Sequence, residues 1–465
     1  MSEFTRRSAL GIAGVGTIAA LTAGFPRLTG RDIPGRGSDD LTVAILGTAQ
    51  DAAARQGLLQ AFHAEHPDIP VRFQAIQGAD WSDFFAKVLT LVAAGTPPDV
   101  VMVATEGAQL FADRLAEPLD SYVLRDADVM QDYFSDVHPA LVEAFMYRGH
   151  LYQVPGDFNA ADMYLNLAAL RRAGLERPAD DWTKDDFHTM LRAIKRTSPA
   201  GTVPFYWTNR LWGGVVPWLY ANDTSILKQT QATGGEWLWK RFYSGDPAAA
   251  GRAGGPLWLE PNALDPRVEE TFDFLRRIVA EGLGSSPAQG GGDTLVPQFA
   301  SGRVGMTPAG GYWVQGLHEA GMPGSAYDVQ FFPRWRSQRA QFGAAGYAIM
   351  RTSHRKDEAW EWIKFCTTRR GMQLSIPDPN TTPTRRSLVD AALYRGKGPA
   401  HWRVFYDTLD KFPGTGPIPA PPQQAAVETA LIKNVVGAVT GSAAGTRGAM
   451  HRLQDDLSTA LGSDR

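Results

Sequence analysis

Polar side chains stand where three predicted strands end. Thr48, Gln77 and Thr105-Glu106 follow the apolar runs Leu41 to Leu46, Val71 to Ile76 and Val100 to Val103. Ligands of open parallel sheets sit in crevices just past the strand C-termini, which would gather a hydroxyl, an amide and a carboxylate at one edge. Trp207 ends a fourth run that starts at Val203, and Trp212 follows shortly after. None of these positions carries a catalytic signature. The segment Gly284-Ser285-Ser286-Pro287-Ala288 departs from a GxSxG nucleophile elbow at its last residue and lacks a preceding strand. A GxxxxGK[ST] phosphate loop is absent, and Gly290-Gly291-Gly292 does not open a helix after a strand. His63 and His66 share a helical face without an acidic third ligand, so no metal is expected there. Asp180-Asp181 and Asp185-Asp186 read as solvated loop and helix-capping residues.

The elements that must hold these positions follow from periodicity and punctuation. Leu58, Leu59 and Phe62 recur at helical spacing from Asp51 to His66, and Pro67-Asp68 stops that helix before the strand at Val71. A second helix spans about Trp81 to Ala94; Gly95 ends it, and Pro97-Pro98 forbid its continuation. Together with Leu41 to Leu46 this is a β-α-β-α-β unit, the seed of a parallel sheet. Thr183 caps a helix to Arg196, with Asp185 and Asp186 in its first turn, and Val268 to Glu281 is an amphipathic helix stopped by Gly282. Gln229 to Pro261 reads as an irregular, Trp-bearing insertion, and helical periodicity returns over the last forty or so residues after Pro413 to Pro422.

Four blocks, in order, carry a resemblance. His66-Pro67-Asp68-Ile69-Pro70-Val71 with Ala94-Gly95-Thr96-Pro97-Pro98-Asp99-Val100-Val101 is the first. Tyr152-Gln153-Val154-Pro155, Tyr164-Leu165-Asn166, Ala173-Gly174-Leu175 and Trp182 form the second, and Phe299 to Met306 with Gly310-Gly311-Tyr312-Trp313 the third. The fourth is Gly346-Tyr347-Ala348-Ile349, Ala359 to Phe365 and Thr382-Pro383-Thr384-Arg385. Over roughly residues 41 to 460 this resembles the extracellular solute-binding proteins of carbohydrate-uptake ABC transporters, the family of maltose-binding protein. The resemblance implies an α/β, two-lobed periplasmic-binding-protein fold, each lobe a mostly parallel sheet flanked by helices. It places the first lobe at 41–155 with 346–384 and the second at 156–345 with 385–465, with crossings near Pro155, Gly346 and Arg385.

It also implies a binder of a sugar or related solute that delivers its cargo to a membrane permease and needs no cofactor. A sugar ring wants aromatic platforms beside acids, amides and arginine. The family's acid after the third strand corresponds to Glu106, and its polar contacts at the first crossing to Asp157 and Asn159. Tyr312 or Trp313 fills the Gly-Gly-aromatic position, Tyr347 follows the return crossing, and Arg385 stands where several relatives reach the ligand, with Arg386 beside it. Gln77, Trp207 and Trp212 complete the candidate set. Arg385 could instead face a phosphate, and acids with aromatics suit an ammonium, so glycerophosphodiester and amino-sugar binding stay as alternatives. Two carboxyls across one cleft would serve a secreted carbohydrate-active hydrolase, the alternative from another class.

Composition agrees. With 465 residues, 44% hydrophobic and 20% charged, the chain can build two cores, and a net charge of -3 gives no reason to expect nucleic acid. The single cysteine, Cys366, lies in an apolar helical pattern and reads as core. Arg6-Arg7 before the uncharged run Ser8 to Phe25 matches a twin-arginine export signal over 1–25, cleaved or retained as an anchor, and 26–40 reads as a linker. A monomer at the outer face of the cytoplasmic membrane is the expected form.

Overall fold

The computed structural model describes residues 40–376, 381–390 and 398–462. The expected export signal and nearly all of the expected linker lie outside the described residues. The strands in chain order are β1 (Leu41–Leu46), β2 (Val71–Ile76), β3 (Val100–Ala104), β4 (Met146–Tyr147), β5 (His150–Leu151), β6 (Val154–Ala160), β7 (Asp162–Asn166) and β8 (Val203–Phe205). Then come β9 (Leu227–Gln231), β10 (Pro256–Pro261), β11 (Val304–Ala309), β12 (Tyr327–Gln330), β13 (Gln341–Ile349), β14 (Thr382–Pro383) and β15 (Gly416–Pro417).

Two sheets organise the chain. The first runs β14-β6-β13-β3-β1-β2 with β15 alongside β13, and the second runs β12-β7-β11-β8. The β-α-β-α-β start forms as the sequence indicates, with β1 parallel to both β2 and β3. Its helix after β1 is broken in two, Ala49–Ala54 and Gln56–Glu65. Beyond that unit the sheets are mixed, not mostly parallel. Strand β13 is antiparallel to β3 and β6, and in the second sheet only β11 and β8 are parallel. Only Ala161 separates β6 from β7, so the chain passes between the sheets without a crossover helix.

Each sheet has its own core. Around the first, Leu41, Val43, Phe62, Tyr133, Phe158, Trp360 and Trp362 are buried together with Cys366. Around the second, Leu165, Phe187, Trp218 and Phe272 are joined by Leu431, Val435, Leu453 and Leu457 from the long helices Gln424–Thr440 and Ala443–Gly462. The segment expected to be irregular is ordered. Strands β9 and β10 form an antiparallel hairpin, and the helix Glu236–Phe242 between them packs Leu238, Trp239 and Phe242 into the first core. Tyr243 donates to the Val137 carbonyl at 3.1 Å, and Arg252 pairs with Glu143. Strands β6 and β13 lie wholly in the first sheet, so Pro155 and Gly346 are positions inside that sheet. Among the described residues no helix is long and apolar enough to cross a membrane.

Candidate functional site

Between the two sheets lies a cavity of about 560 Å³, within the range that takes a small organic ligand. The first sheet's strand ends supply one wall, as its crevice position requires. Thr48 caps the helix Ala49–Ala54 in a box with Asp51, and Arg55 donates to the Asp51 carbonyl. Gln77 follows β2, and Asp80 caps the helix Trp81–Ala93, which places Trp81 at the rim. Glu106 stands in the first turn of the helix Thr105–Arg114, where the dipole favours an anion. Asp157 and Asn159 project from β6 beside the bulge at Gly156, which stands unpaired opposite Ala345 and Gly346 of β13.

The second lobe supplies Arg210, Trp212, Tyr312, Ile418 and Glu428. Asn159 ties the walls together: its amide donates to the Thr381 hydroxyl at 3.0 Å, and its carbonyl oxygen accepts from the Tyr312 backbone at 3.1 Å. Trp212 meets Tyr312 edge-to-face at 5.4 Å between centroids, an apolar corner suited to a ring's C–H face. Arg210 pairs with Asp80 at 3.3 Å and Glu428 at 3.7 Å.

The deep carboxyls are poised near neutrality. Glu106 is half-buried in the cleft wall, and this desolvation raises its pKa from 4.5 to about 7, with the Glu428 charge adding to the effect. Desolvation likewise raises Asp157 from 3.8 to about 7, against the pull of Arg55 and of hydrogen bonds from the Ala345 backbone and Thr381. Near pH 7 each carboxyl can therefore either donate to or accept from a ligand hydroxyl. Because both folded-state values lie above the unfolded ones, the folded state binds more protons between about pH 4 and 7, and these groups lose stability as pH rises through that window. The double variant Glu106→Gln/Asp157→Asn is expected to gain stability relative to wild type across that window. Thermal unfolding of both proteins at pH 4.5 and 8 (values chosen at about the window's ends) checks this; a constant difference would disprove it.

The profile of the bacterial extracellular solute-binding proteins matches residues 47–373. The chain belongs to that family. No curated protein matches it by sequence. Among solved structures it is similar to the sugar-binding protein MalE of Xanthomonas citri, with a TM-score of 0.71 and 18% identity over 90% of this chain and 98% of that one. An ABC substrate-binding protein from Listeria monocytogenes in complex with cycloalternan aligns with a TM-score of 0.69 and 17% identity over 90% and 99% of the chains. The maltose-bound MalE3 of T. maritima gives 0.67 and 18% over 90% and 99%. These likenesses establish the two-lobed fold.

Within this family member, the structure sorts the expected site residues. Gln77, Glu106, Asp157, Asn159, Trp212 and Tyr312 line the cavity. Trp207, Trp313, Tyr347 and Arg385 do not. Tyr312 precedes the helix Trp313–Glu319, whose first residue turns inward, so Trp313 packs on Tyr164 and Phe299 in the core. Trp207 is buried and stacks with Phe205. Tyr347 lies in the first core, facing Trp362 of the helix Lys356–Thr367. Arg385 is 1% exposed: its Nε donates to the Thr367 carbonyl at 2.7 Å, and its other nitrogens reach Asp132 and Asp136 at 3.0 and 3.1 Å. Arg386 pairs with Asp410 at 3.1 Å. The sequence reading missed Asp51, Arg55, Asp80, Trp81, Arg210, Thr381 and Glu428. Of these, Asp80-Trp81 carried a usable signal, since they open a helix directly after a strand end.

Proposed function

We propose that the chain is the binding component of an ABC importer and captures a carbohydrate between its lobes for a membrane permease. The observation that carries this reading is a cleft whose acids, amide, arginines and aromatic corner come from both walls. Maltose and cycloalternan, bound in two of the related structures, are carbohydrates and support it. The acidic cavity, with Arg385 buried elsewhere, argues against a phosphodiester. The twin-arginine route of export, a monomeric state and recovery of the ligand chemically unchanged are further parts of the proposal.

Closure would pivot at Ala161 between β6 and β7 and at the segment between β12 and β13, with the β9–β10 hairpin as a flanking strap. A thermal-shift screen with maltose, maltotriose, cycloalternan and monosaccharides tests the reading. A ligand at a hundred times its dissociation constant should stabilise the protein by about 2.7 kcal/mol. A panel without any stabilising sugar would count against it, and catalytic turnover of a bound sugar would favour a hydrolase.

A further inference from the structure

The cleft sets like charges against each other. Glu428, on the second lobe's helix Gln424–Thr440, acts electrostatically on both Asp80 and Glu106 of the first lobe. Bringing the lobes together would therefore be opposed by carboxylate repulsion unless a cation stands between them. Arg210 stands there. Its neighbour Leu211 is buried in the second lobe's core, and the Leu211 backbone also donates to Glu428, at 3.4 Å. Glu428 is thus an intralobe partner that aims the guanidinium, and Asp80 is its partner across the cleft. The side chains are 24%, 32% and 13% exposed for Arg210, Asp80 and Glu428, so bulk water screens the triad only in part.

We propose that Arg210 is a positioning residue that holds the two lobes together before any ligand arrives, by bridging Asp80 of the first lobe to Glu428 of the second. It turns a repulsive interlobe face into an attractive one and thereby sets how much of the ligand-free protein is closed. Two-state populations respond directly to such a differential contact.

The full chain, stripped of bound solute by unfolding and refolding, provides the test. Spin labels at Thr90→Cys and Thr440→Cys, exposed positions on helices of opposite lobes, report the interlobe distance, with the buried Cys366 left in place. The variants are Arg210→Gln and Asp80→Asn; asparagine preserves the cap on the helix Trp81–Ala93 and removes only the charge. Wild type at low salt should populate mainly the shorter distance. Both variants should lower its closed-to-open ratio by about two- to fivefold, the scale of a partly exposed ion pair. Salt of about 1 M should move wild type toward the variants, and Arg210→Lys should restore part of the difference. Unchanged distributions in the two variants would overturn the proposal, as would a ligand-free wild type already at the longer distance. A shift in Arg210→Gln without one in Asp80→Asn would also overturn it, because Arg210 would then act only within its own lobe. No sugar enters the measurement, so its outcome is independent of what the cleft binds.

Discussion

Replacing Arg385 with alanine is expected to cost about 3–5 kcal/mol of folding stability, the range for removing one partner of a buried ion pair. The guanidinium joins three parts of the first lobe. It donates to the carbonyls of Thr367 and Asp132 and to the carboxylates of Asp132 and Asp136. It also lies 5.4 Å from the Tyr133 ring centroid. Truncation strands two carbonyls and leaves the largely buried Asp136 carboxylate with only its Ser387 donors and the more distant Arg369. Asp132 is more than half exposed and loses less. Lysine cannot restore the fork, since its three donors radiate from one nitrogen and cannot span acceptors that three separate guanidinium nitrogens reach. Denaturant unfolding measures the loss, and ligand affinity measured well below the transition should stay at the wild-type value. An affinity loss without destabilisation would return Arg385 to the cleft.

Arg385 also shows where a sequence stops being readable. Residues 41 to 104 declare their structure because helix spacing, prolines and strand alternation are local, and the polar strand ends at Gln77 and Glu106 follow from that topology. The carboxylate partners of Arg385 lie about 250 positions away along the chain, and no local pattern announces that Asp132 and Asp136 will converge on it. Tyr347 illustrates a second limit. Alternation assigns side chains of β13 to two faces, yet only the packed helix Lys356–Thr367 decides which face is core. Tyr312 and Trp313 differ by one residue at a helix start, where a rotation of about 100° per residue separates cleft from core. Glu428 reaches the cavity from a long C-terminal helix whose other residues serve the second core. Even so, six candidate residues share one cavity: strand ends and family blocks mark Gln77, Glu106, Asp157 and Asn159 on the first sheet, and Trp212 and Tyr312 face them from the second lobe.

Filling the space above Gly343 should silence the cleft's aromatic corner. A Cβ built on Gly343 would lie 2.5 Å from Nε1 of Trp212, far inside contact distance, so any side chain there must push the indole away. Trp212 has little room to yield, since Tyr312 braces it edge-to-face and the next residue, Gly213, is tied by its backbone to Gln341 at 3.0 Å. The expected result for Gly343→Val is a loss of about 2 kcal/mol in sugar affinity, about thirtyfold, comparable to Trp212→Ala, because both remove the same buried stacking surface. Folding stability should fall as well, because a braced indole yields only at a cost, although valine suits a strand and the position borders the cavity and not the packed core. The double variant separates this account from general damage to the strand. Once Trp212 is alanine, the valine has nothing to displace, so Gly343→Val should add almost nothing in that background, a coupling as large as either single effect. Titration calorimetry of the four proteins with one sugar gives the cycle; additive losses would mean that Gly343 matters for the strand itself and does not act through Trp212.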